Sequence, residues 1–230
     1  MKIVIISAVF AALVLSRSAS AADAPDLKDP KQKLSYALGT QIGANFQSKG
    51  IEVDPKAVAA GIADGIAGKN NLSDAELREV MTDFQTQMMA KMQARQQADG
   101  EKNAKAGQEF LAANAKKEGV KTTASGLQYK VIKSGTGKTP TAKDTVKVHY
   151  HGTLIDGTVF DSSVEKGEPA TFPVNQVIPG WTEVLQLMKE GDKWQVYIPS
   201  KLAYGEGGAG GKIGPNSALI FDVELLGIEK

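Results

Sequence analysis

The segment from Val148 to Ser163 holds side chains of the types that enzymes use for chemistry. It reads VHYHGTLIDGTVFDSS and contains both histidines of the chain, a tyrosine and two aspartates. Histidines can bind a metal or transfer protons, and two carboxylates can act as the acid and the base of a hydrolase. The segment therefore predicts either a catalytic cluster of acids and bases or one wall of a site that needs neither.

Metal and acid–base chemistry find little support in the rest of the sequence. His149 and His151 share one face of a predicted strand, but two ligands do not complete a zinc site. The chain has no further histidine and no cysteine, so both are better interpreted as solvated strand residues. Asp156 precedes Gly157 in a pattern typical of a hairpin turn, which leaves Asp161 without a second carboxylate. We predict no metal and no cofactor.

The candidate side chains that remain are mainly apolar. Taken singly, large apolar residues are usually buried, so the residues alone favour a solid core and leave a lined pocket as the alternative. The set consists of Tyr150, Phe160, Asp161, Phe172, Val177, Ile178, Trp181, Tyr204, Ile213 and Phe221.

Residues 119–230 predict an antiparallel sheet with one short helix, which is an α+β domain. β-branched and aromatic residues recur in four runs that are typical of strands, namely 127–132, 146–150, 194–198 and 219–225. An apolar stripe at helical spacing predicts the helix, and it consists of Trp181, Val184, Leu185 and Met188.

Residues 22–72 predict short amphipathic helices. Asp54 and Pro55 are typical first residues of a helix, and Gly68 fits its end. Because this all-α region is too small for a core of its own, we predict that it pairs with a second copy and forms a homodimer. The alternative is a monomer in which these helices cap the second domain.

Residues 73–118 predict one long connecting helix that begins with a capping box at Ser73. Large apolar residues are absent from Gln93 to Gln108, so we expect the middle of the helix to cross solvent. Gly100 and Gly107 each cost a helix interior about 1 kcal/mol, which makes a break at these positions an alternative.

The first residues predict a signal peptide that spans 1–21. A short charged start is followed by an apolar run from Ile3 to Leu15 and by the small residues Ala19, Ser20 and Ala21. The apolar run is too short for a stable membrane anchor. We expect an exported protein that is periplasmic, associated with the outer membrane or secreted. The net charge of +1 provides no long-range field that would attract nucleic acid, so we predict no nucleic-acid partner.

Four segments of the chain stand out as long motifs, namely VHYHGTLIDGTVFDSS, VIPGWTEVLQLM, LAYGEGG and IGPNSALIFDVELL. They resemble the FKBP-type peptidyl-prolyl cis-trans isomerases, in order and at the spacing of that family. The similarity runs from about Gly119 to the end of the chain. The N-terminal half resembles the Mip/FkpA group of periplasmic or surface proteins, which are V-shaped homodimers joined through their N-terminal helices.

The resemblance implies a sheet curled around the Trp181 helix, with the substrate proline entering between them. Trp181 would form the floor, Asp161 would lie beside the twisting amide, and Ile213 would line a lip. Tyr204 and the backbone N–H of Ile178 would donate to substrate carbonyls. Catalytic roles fall to Tyr150, Phe160, Asp161, Ile178, Trp181, Tyr204 and Phe221, and substrate-binding roles fall to Phe172, Val177 and Ile213.

Two positions depart from the family pattern. Ala170 stands where several members carry an aromatic residue, and Ala209 stands where a histidine is often found. The departures predict a shallower pocket and a more mobile loop. The resemblance also implies a site that macrolide inhibitors of the FK506 and rapamycin type can occupy.

An apolar pocket suffices for this chemistry because rotation about a peptide bond needs no proton transfer. The planar amide carries charge separation that the half-rotated amide has lost, so an apolar environment favours the twisted form. We therefore predict an isomerase that acts on X-Pro bonds of unfolded or partly folded exported polypeptides. The alternative is a dimeric chaperone that binds proline segments with little turnover.

Overall fold

A computed structural model describes residues 24–229 of the chain. The signal peptide predicted for residues 1–21 lies outside the described residues. The chain divides into two compact units, and the boundary between Leu77 and Arg78 falls within a long helix. Within residues 24–229, no helix is both long enough and apolar enough to span a membrane.

The N-terminal unit contains helices α1 (Pro30–Ser48) and α2 (Pro55–Ile66) and the first residues of α3 (Asp74–Asn114). The predicted start of α2 is confirmed, since the carboxylate of Asp54 accepts hydrogen bonds from two backbone N–H groups of its first turn. The capping box at Ser73 is confirmed as well, because its backbone N–H donates to the carboxylate of Glu76 at 2.8 Å.

Neither α1 nor α2 buries a residue within the single chain. Apolar side chains on both helices are exposed, with Leu38 at 55% and Ile66 at 85%. The apolar faces that the sequence pattern predicts are therefore present, but residues 24–77 supply no core to cover them.

Helix α3 is continuous through Gly100 and Gly107. The prediction that its middle crosses solvent holds for residues 93–99, which are exposed, but is wrong from Gly100 onward, where the helix packs against the sheet domain. A Cβ at Gly107 would lie 3.1 Å from the Cβ of Ala218. These glycines permit close approach of the helix to the sheet domain, and a pattern of large apolar side chains does not reveal a contact of this kind.

The C-terminal unit is built on a seven-stranded antiparallel sheet with the order β1-β2-β6-β7-β3-β4, in which β5 also pairs with β3. The fold is α+β, as predicted. Two short helices, α4 (Ser163–Lys166) and α5 (Pro179–Leu185), lie between strands of the sheet along the chain. The strands are β1 (Val120–Thr122), β2 (Gln128–Lys133), β3 (Thr145–Leu154), β4 (Val159–Ser162), β5 (Ala170–Pro173), β6 (Lys193–Ile198) and β7 (Leu219–Glu229).

Strand β3 organises the sheet around the candidate site. It pairs with β7 along its whole length on one side, and with β5 and then β4 on the other. The predicted hairpin is confirmed, since Gly157 adopts a φ of +88° in the turn and Asp156 accepts a hydrogen bond from the backbone N–H of Thr158. The short strands β1 and β5 were not predicted because they hold too few residues to show a pattern.

Helix α5 packs on the sheet through Trp181, Val184 and Leu185, which belong to the main hydrophobic core. A Cβ at Gly180 would lie 2.6 Å from Cγ2 of Ile198, so glycine permits this close packing. The helix is shorter than predicted. It ends at Leu185, and Met188 is buried in the turn that follows.

Candidate active site

Every residue that the sequence analysis selected lines one cavity of about 510 Å³ in the C-terminal unit. Strands β3, β4, β5 and β7 contribute one side of this cavity, α5 and the residues before it contribute the floor, and a glycine-rich loop contributes the rim. The lining residues predicted from the sequence are Tyr150, Phe160, Asp161, Phe172, Val177, Ile178, Trp181, Tyr204, Ile213 and Phe221.

Aromatic rings stand edge-on around the indole of Trp181. The ring centroids of Tyr150, Phe172 and Phe221 lie 5.4, 5.8 and 5.3 Å from it, with interplanar angles between 81° and 87°. Phe160 in turn stands edge-on to Phe221 at 5.4 Å. Each such contact favours a fixed geometry, so the rings hold one another as walls around the cavity.

Gly152 on β3 provides the space in which two of these rings lie. A Cβ at this position would meet the ring of Phe160 at 2.7 Å and the ring of Phe221 at 2.8 Å. The rings therefore lie directly against the strand backbone, and any larger side chain would displace them towards the cavity.

Asp161 is the carboxylate of the cavity, and three donors surround it. The hydroxyl of Tyr150 donates to its Oδ2 at 2.6 Å, and the ammonium of Lys166 donates to its Oδ1 at 2.7 Å. The backbone N–H of Ser162 donates to Oδ1 at 2.9 Å. The carboxylate is therefore held in place and paired with a positive charge.

These contacts move the pKa values of the Asp161 carboxyl and the Tyr150 phenol in opposite directions. The hydrogen bond from Lys166, followed by that from Tyr150, lowers the pKa of the Asp161 carboxyl below its ordinary value. Burial, together with the hydrogen bond to Asp161, raises the pKa of the Tyr150 phenol well above its ordinary value. Near neutral pH the aspartate is ionised and the tyrosine is protonated, and neither is poised to exchange a proton.

Two donors at the cavity are available to a ligand. Neither the backbone N–H of Ile178 nor the hydroxyl of Tyr204 makes a hydrogen bond with another described residue. Tyr204 is 42% exposed, and Ile178 precedes α5 as its N-cap residue. Their role towards a peptide carbonyl stays a prediction of the resemblance.

A glycine-rich loop, which we call the lip (residues 205–216), forms the rim of the cavity. Asn216 closes its base by donating from its backbone N–H to the carbonyl of Gly205 at 2.8 Å. Ala209 and Ile213 are paired by two backbone hydrogen bonds at 2.8 and 3.0 Å. This pairing places the buried side chain of Ile213 in the wall.

The histidines lie outside the cavity. His149 and His151 alternate with Tyr150 along β3, and their Nδ1 atoms lie 3.1 and 3.0 Å from the hydroxyls of Ser163 and Ser162. Within residues 24–229 there is no group of three side chains that could bind a metal.

The sequence analysis did not select four features of this site. Gln176 and Lys212 line the cavity, Lys166 pairs with Asp161, and Gly152 makes room for the rings. The pattern around Lys166 offered a signal, because Ser162 and Gly167 cap a short helix that must place the lysine in its last turn. Nothing in the local pattern distinguishes Gln176 or Lys212.

Two protein-family models match the sequence of this chain. Residues 136–226 match the family model described as FKBP-type peptidyl-prolyl cis-trans isomerase. Residues 31–131 match the model of the domain amino terminal to FKBP-type peptidyl-prolyl isomerase. With the relatives described next, these matches show that the chain belongs to the FKBP-type peptidyl-prolyl cis-trans isomerase family.

Relatives extend the similarity to the whole chain. The chain is 46% identical to the outer membrane protein MIP of Legionella longbeachae, over 100% of this chain and 99% of that protein. It is 46% identical to the peptidyl-prolyl cis-trans isomerase Mip of Coxiella burnetii, over 100% of each. The crystal structure of FkpA from Escherichia coli matches with a TM-score of 0.72 and 42% identity, over 88% of this chain and 98% of that one.

We predict that Gly152→Ala narrows the cavity, because the added methyl group pushes the rings of Phe160 and Phe221 away from β3. The free energy of unfolding should fall by about 1–3 kcal/mol, as for other overpacked sites. Urea unfolding measures this loss, and titration with a proline-containing peptide should show weaker binding.

Gly227→Ala is the matched control, since Gly227 is a strand glycine of β7 outside the cavity and a Cβ there comes no nearer than 3.8 Å to another side chain. Its stability and peptide affinity should stay close to those of the parent chain. Equal effects of the two substitutions would contradict a specific role for the space at Gly152.

Proposed function

We propose that this chain accelerates cis-trans isomerisation of X-Pro bonds through the ring-lined cavity. The observation that carries the proposal is the cavity of about 510 Å³ over Trp181, which is lined by aromatic and aliphatic side chains around one carboxylate. A cavity of this size accommodates a prolyl ring and its preceding amide.

The physical basis is preference for the twisted amide. Rotation about a peptide bond has a barrier of about 18–20 kcal/mol because it destroys amide resonance. The planar form carries the greater charge separation, so transfer from water into an apolar cavity disfavours it relative to the half-rotated form. X-Pro bonds are the suitable substrate because their cis form is accessible and their uncatalysed exchange takes tens to hundreds of seconds.

Polar groups at the rim orient the substrate. We assign the Ile178 N–H and the Tyr204 hydroxyl to the carbonyls that flank the proline, since both donors are available. Asp161, fixed by Tyr150 and Lys166, provides a stationary negative charge beside the rotating bond. Macrolides of the FK506 and rapamycin type are candidate inhibitors that would compete for the same cavity.

We predict that Asp161→Asn lowers kcat/KM on an X-Pro peptide by roughly three- to thirtyfold. The substitution removes the charge but keeps an acceptor of the same shape, so the loss is that of weakened hydrogen bonds. NMR exchange spectroscopy on a short peptide measures the rate without a coupled enzyme. Asp156→Asn changes an aspartate of the neighbouring turn and serves as the matched control.

A loss of a hundredfold or more in Asp161→Asn would indicate a proton-transfer role and would contradict this mechanism, since general acid–base groups contribute about 10²–10⁴. An unchanged rate would instead remove the aspartate from the mechanism and leave the apolar walls as its basis.

The N-terminal helices support a second proposal, a homodimer formed through residues 22–72. A groove of about 520 Å³ between α1 and α2 is lined by Ile42, Phe46, Val58 and Ile62 and is open in the single chain. Gly39 and Gly43 lie on the same groove, and a Cβ at either meets nothing within 4 Å. A second copy that packs closely here would cover the groove and would explain both helix glycines.

We predict that Leu38→Glu separates the dimer. Leu38 lies one helical turn before Ile42 of the groove and on the same face of α1. It is 55% exposed in the single chain, so a charge there should cost an isolated chain little, whereas a dimer interface over this face would bury it unpaired. Sedimentation equilibrium at several concentrations measures the change in mass. Gln41→Glu, on the same helix, adds the same charge at a polar position and should leave the mass unchanged.

A monomeric parent chain would contradict the proposed homodimer and favour the alternative in which these helices act within one chain. A Leu38→Glu variant that stays dimeric would place the interface elsewhere.

Chaperone activity of the dimer is the second candidate function, with the chain acting on unfolded exported polypeptides. The exposed Met89 and Met92 of α3, at 71% and 60%, favour it, because flexible methionines form tolerant binding surfaces. The two functions separate in the Leu38→Glu variant, which should keep its rate on a short peptide while losing suppression of aggregation.

A further inference from the structure

The lip needs an anchor because of its composition. Glycine loses more conformational freedom on ordering than any other residue, so a loop with this many glycines is costly to hold in one conformation. Ile213 lies in the lip and lines the cavity, so we expect its place in the wall to depend on the order of the lip. The glycines of the lip are Gly205, Gly207, Gly208, Gly210, Gly211 and Gly214.

Two hydrogen bonds join the lip to distant parts of the chain. The ammonium of Lys212 lies 3.5 Å from the carbonyl of Phe160, at the limit of hydrogen-bond distance and on an exposed side chain. The side-chain amide of Asn103 on α3 donates to the carbonyl of Pro215 at 2.9 Å in a partly buried contact. The bond from Asn103 is the shorter and the better shielded of the two.

One face of α3 is shaped to make the contact with Asn103 possible. Gly100, Asn103 and Gly107 follow at steps of three and four residues, so they lie on the same side of the helix. A Cβ at Gly100 would lie 3.2 Å from the side-chain amide of Asn216, and Gly107 lies against Ala218. The helix backbone therefore comes directly against the base of the lip.

The backbone of the lip leaves space for the side chain of Asn103. A Cβ at Gly214 would lie 2.9 Å from Nδ2 of Asn103, so the amide occupies the place where a side chain would otherwise stand. Gly214 separates the anchored Pro215 from Ile213, which leaves two peptide bonds between the anchor and the cavity wall.

We propose that Asn103 is a positioning residue for isomerisation, acting through the lip. It holds Pro215, and thereby keeps Ile213 in the wall of the cavity. The inference rests on the proposed isomerase function. It assigns the C-terminal part of α3 a role in maintaining the geometry of the active site. Asn103 does not line the cavity, so its effect on a substrate passes through the lip.

The expected effect of losing the Asn103 hydrogen bond depends on the fraction of molecules in which the lip is ordered. If the lip is released, only part of the population presents the complete wall, and the apparent affinity falls by that fraction. Once the substrate has bound the ordered form, the wall is intact and the bound amide rotates as before. Loss of Asn103 should therefore raise KM and leave kcat nearly unchanged.

The test compares Asn103→Ala and Asn103→Asp with the parent, using the full chain. Asn103→Asp keeps the size of the side chain but removes the donor. Both variants should raise KM on a short X-Pro peptide by about three- to tenfold, with kcat within about twofold, as for one lost hydrogen bond. NMR exchange spectroscopy over a range of peptide concentrations separates the two constants.

A second readout follows the lip without substrate. The Ile213 methyl resonances should broaden or shift in both Asn103 variants, while resonances of Trp181 at the cavity floor stay in place. Gln108→Ala and Gln108→Glu are the matched controls, since Gln108 is an exposed residue of the same helix. They should change neither KM nor the Ile213 resonances.

Three results would overturn the inference. If the parent chain is active and both Asn103 variants have the same KM as the parent, the positioning role is excluded while the proposed isomerase function stands. A parent chain that fails to isomerise any X-Pro peptide would overturn the proposed function, and with it this inference. A fall in kcat at unchanged KM would also contradict it, because the lip would then act in the rotation step itself.

Discussion

The structure of the site depends on edge-on packing of aromatic rings around the indole of Trp181. Tyr150, Phe172 and Phe221 come from three strands, yet each meets the same indole at between 5.3 and 5.8 Å. This packing fixes the strands relative to α5, and it leaves a cavity above the indole because edge-on rings act as walls. Gly152 contributes by letting two rings lie against the backbone of β3. The same interaction therefore stabilises the fold and defines the site.

The polar groups of the site complement this apolar cavity without introducing acid–base chemistry. Asp161 is paired with Lys166 and accepts from Tyr150, and these contacts lower the pKa of the carboxyl and raise that of the phenol. A reaction that only rotates a bond has no need of a proton donor or acceptor. The acids and bases that the segment from Val148 to Ser163 displays therefore serve as fixed charges, hydrogen-bond partners and turn residues.

Much of the fold and the lining of the cavity could be predicted from the sequence. The longer strands, the helix caps and the apolar stripe that begins at Trp181 have local signatures, and the family resemblance brought the lining residues together. What escaped prediction depends on close approach between distant segments. Gly107 was a possible break in α3 but is where the helix meets Ala218, and Asn103 fell within the stretch that was expected to cross solvent. No local pattern reports such contacts.

The most direct test of the central claim is the pH dependence of kcat/KM on a short X-Pro peptide, measured by NMR exchange. The pKa of Asp161 lies below its ordinary value and that of Tyr150 above it, so neither changes protonation between about pH 5 and 9. The account predicts a flat profile across this range, with the parent and the Asp161→Asn variant running parallel. A bell-shaped profile that disappears in Asp161→Asn would show that the reaction moves a proton, and would contradict the account.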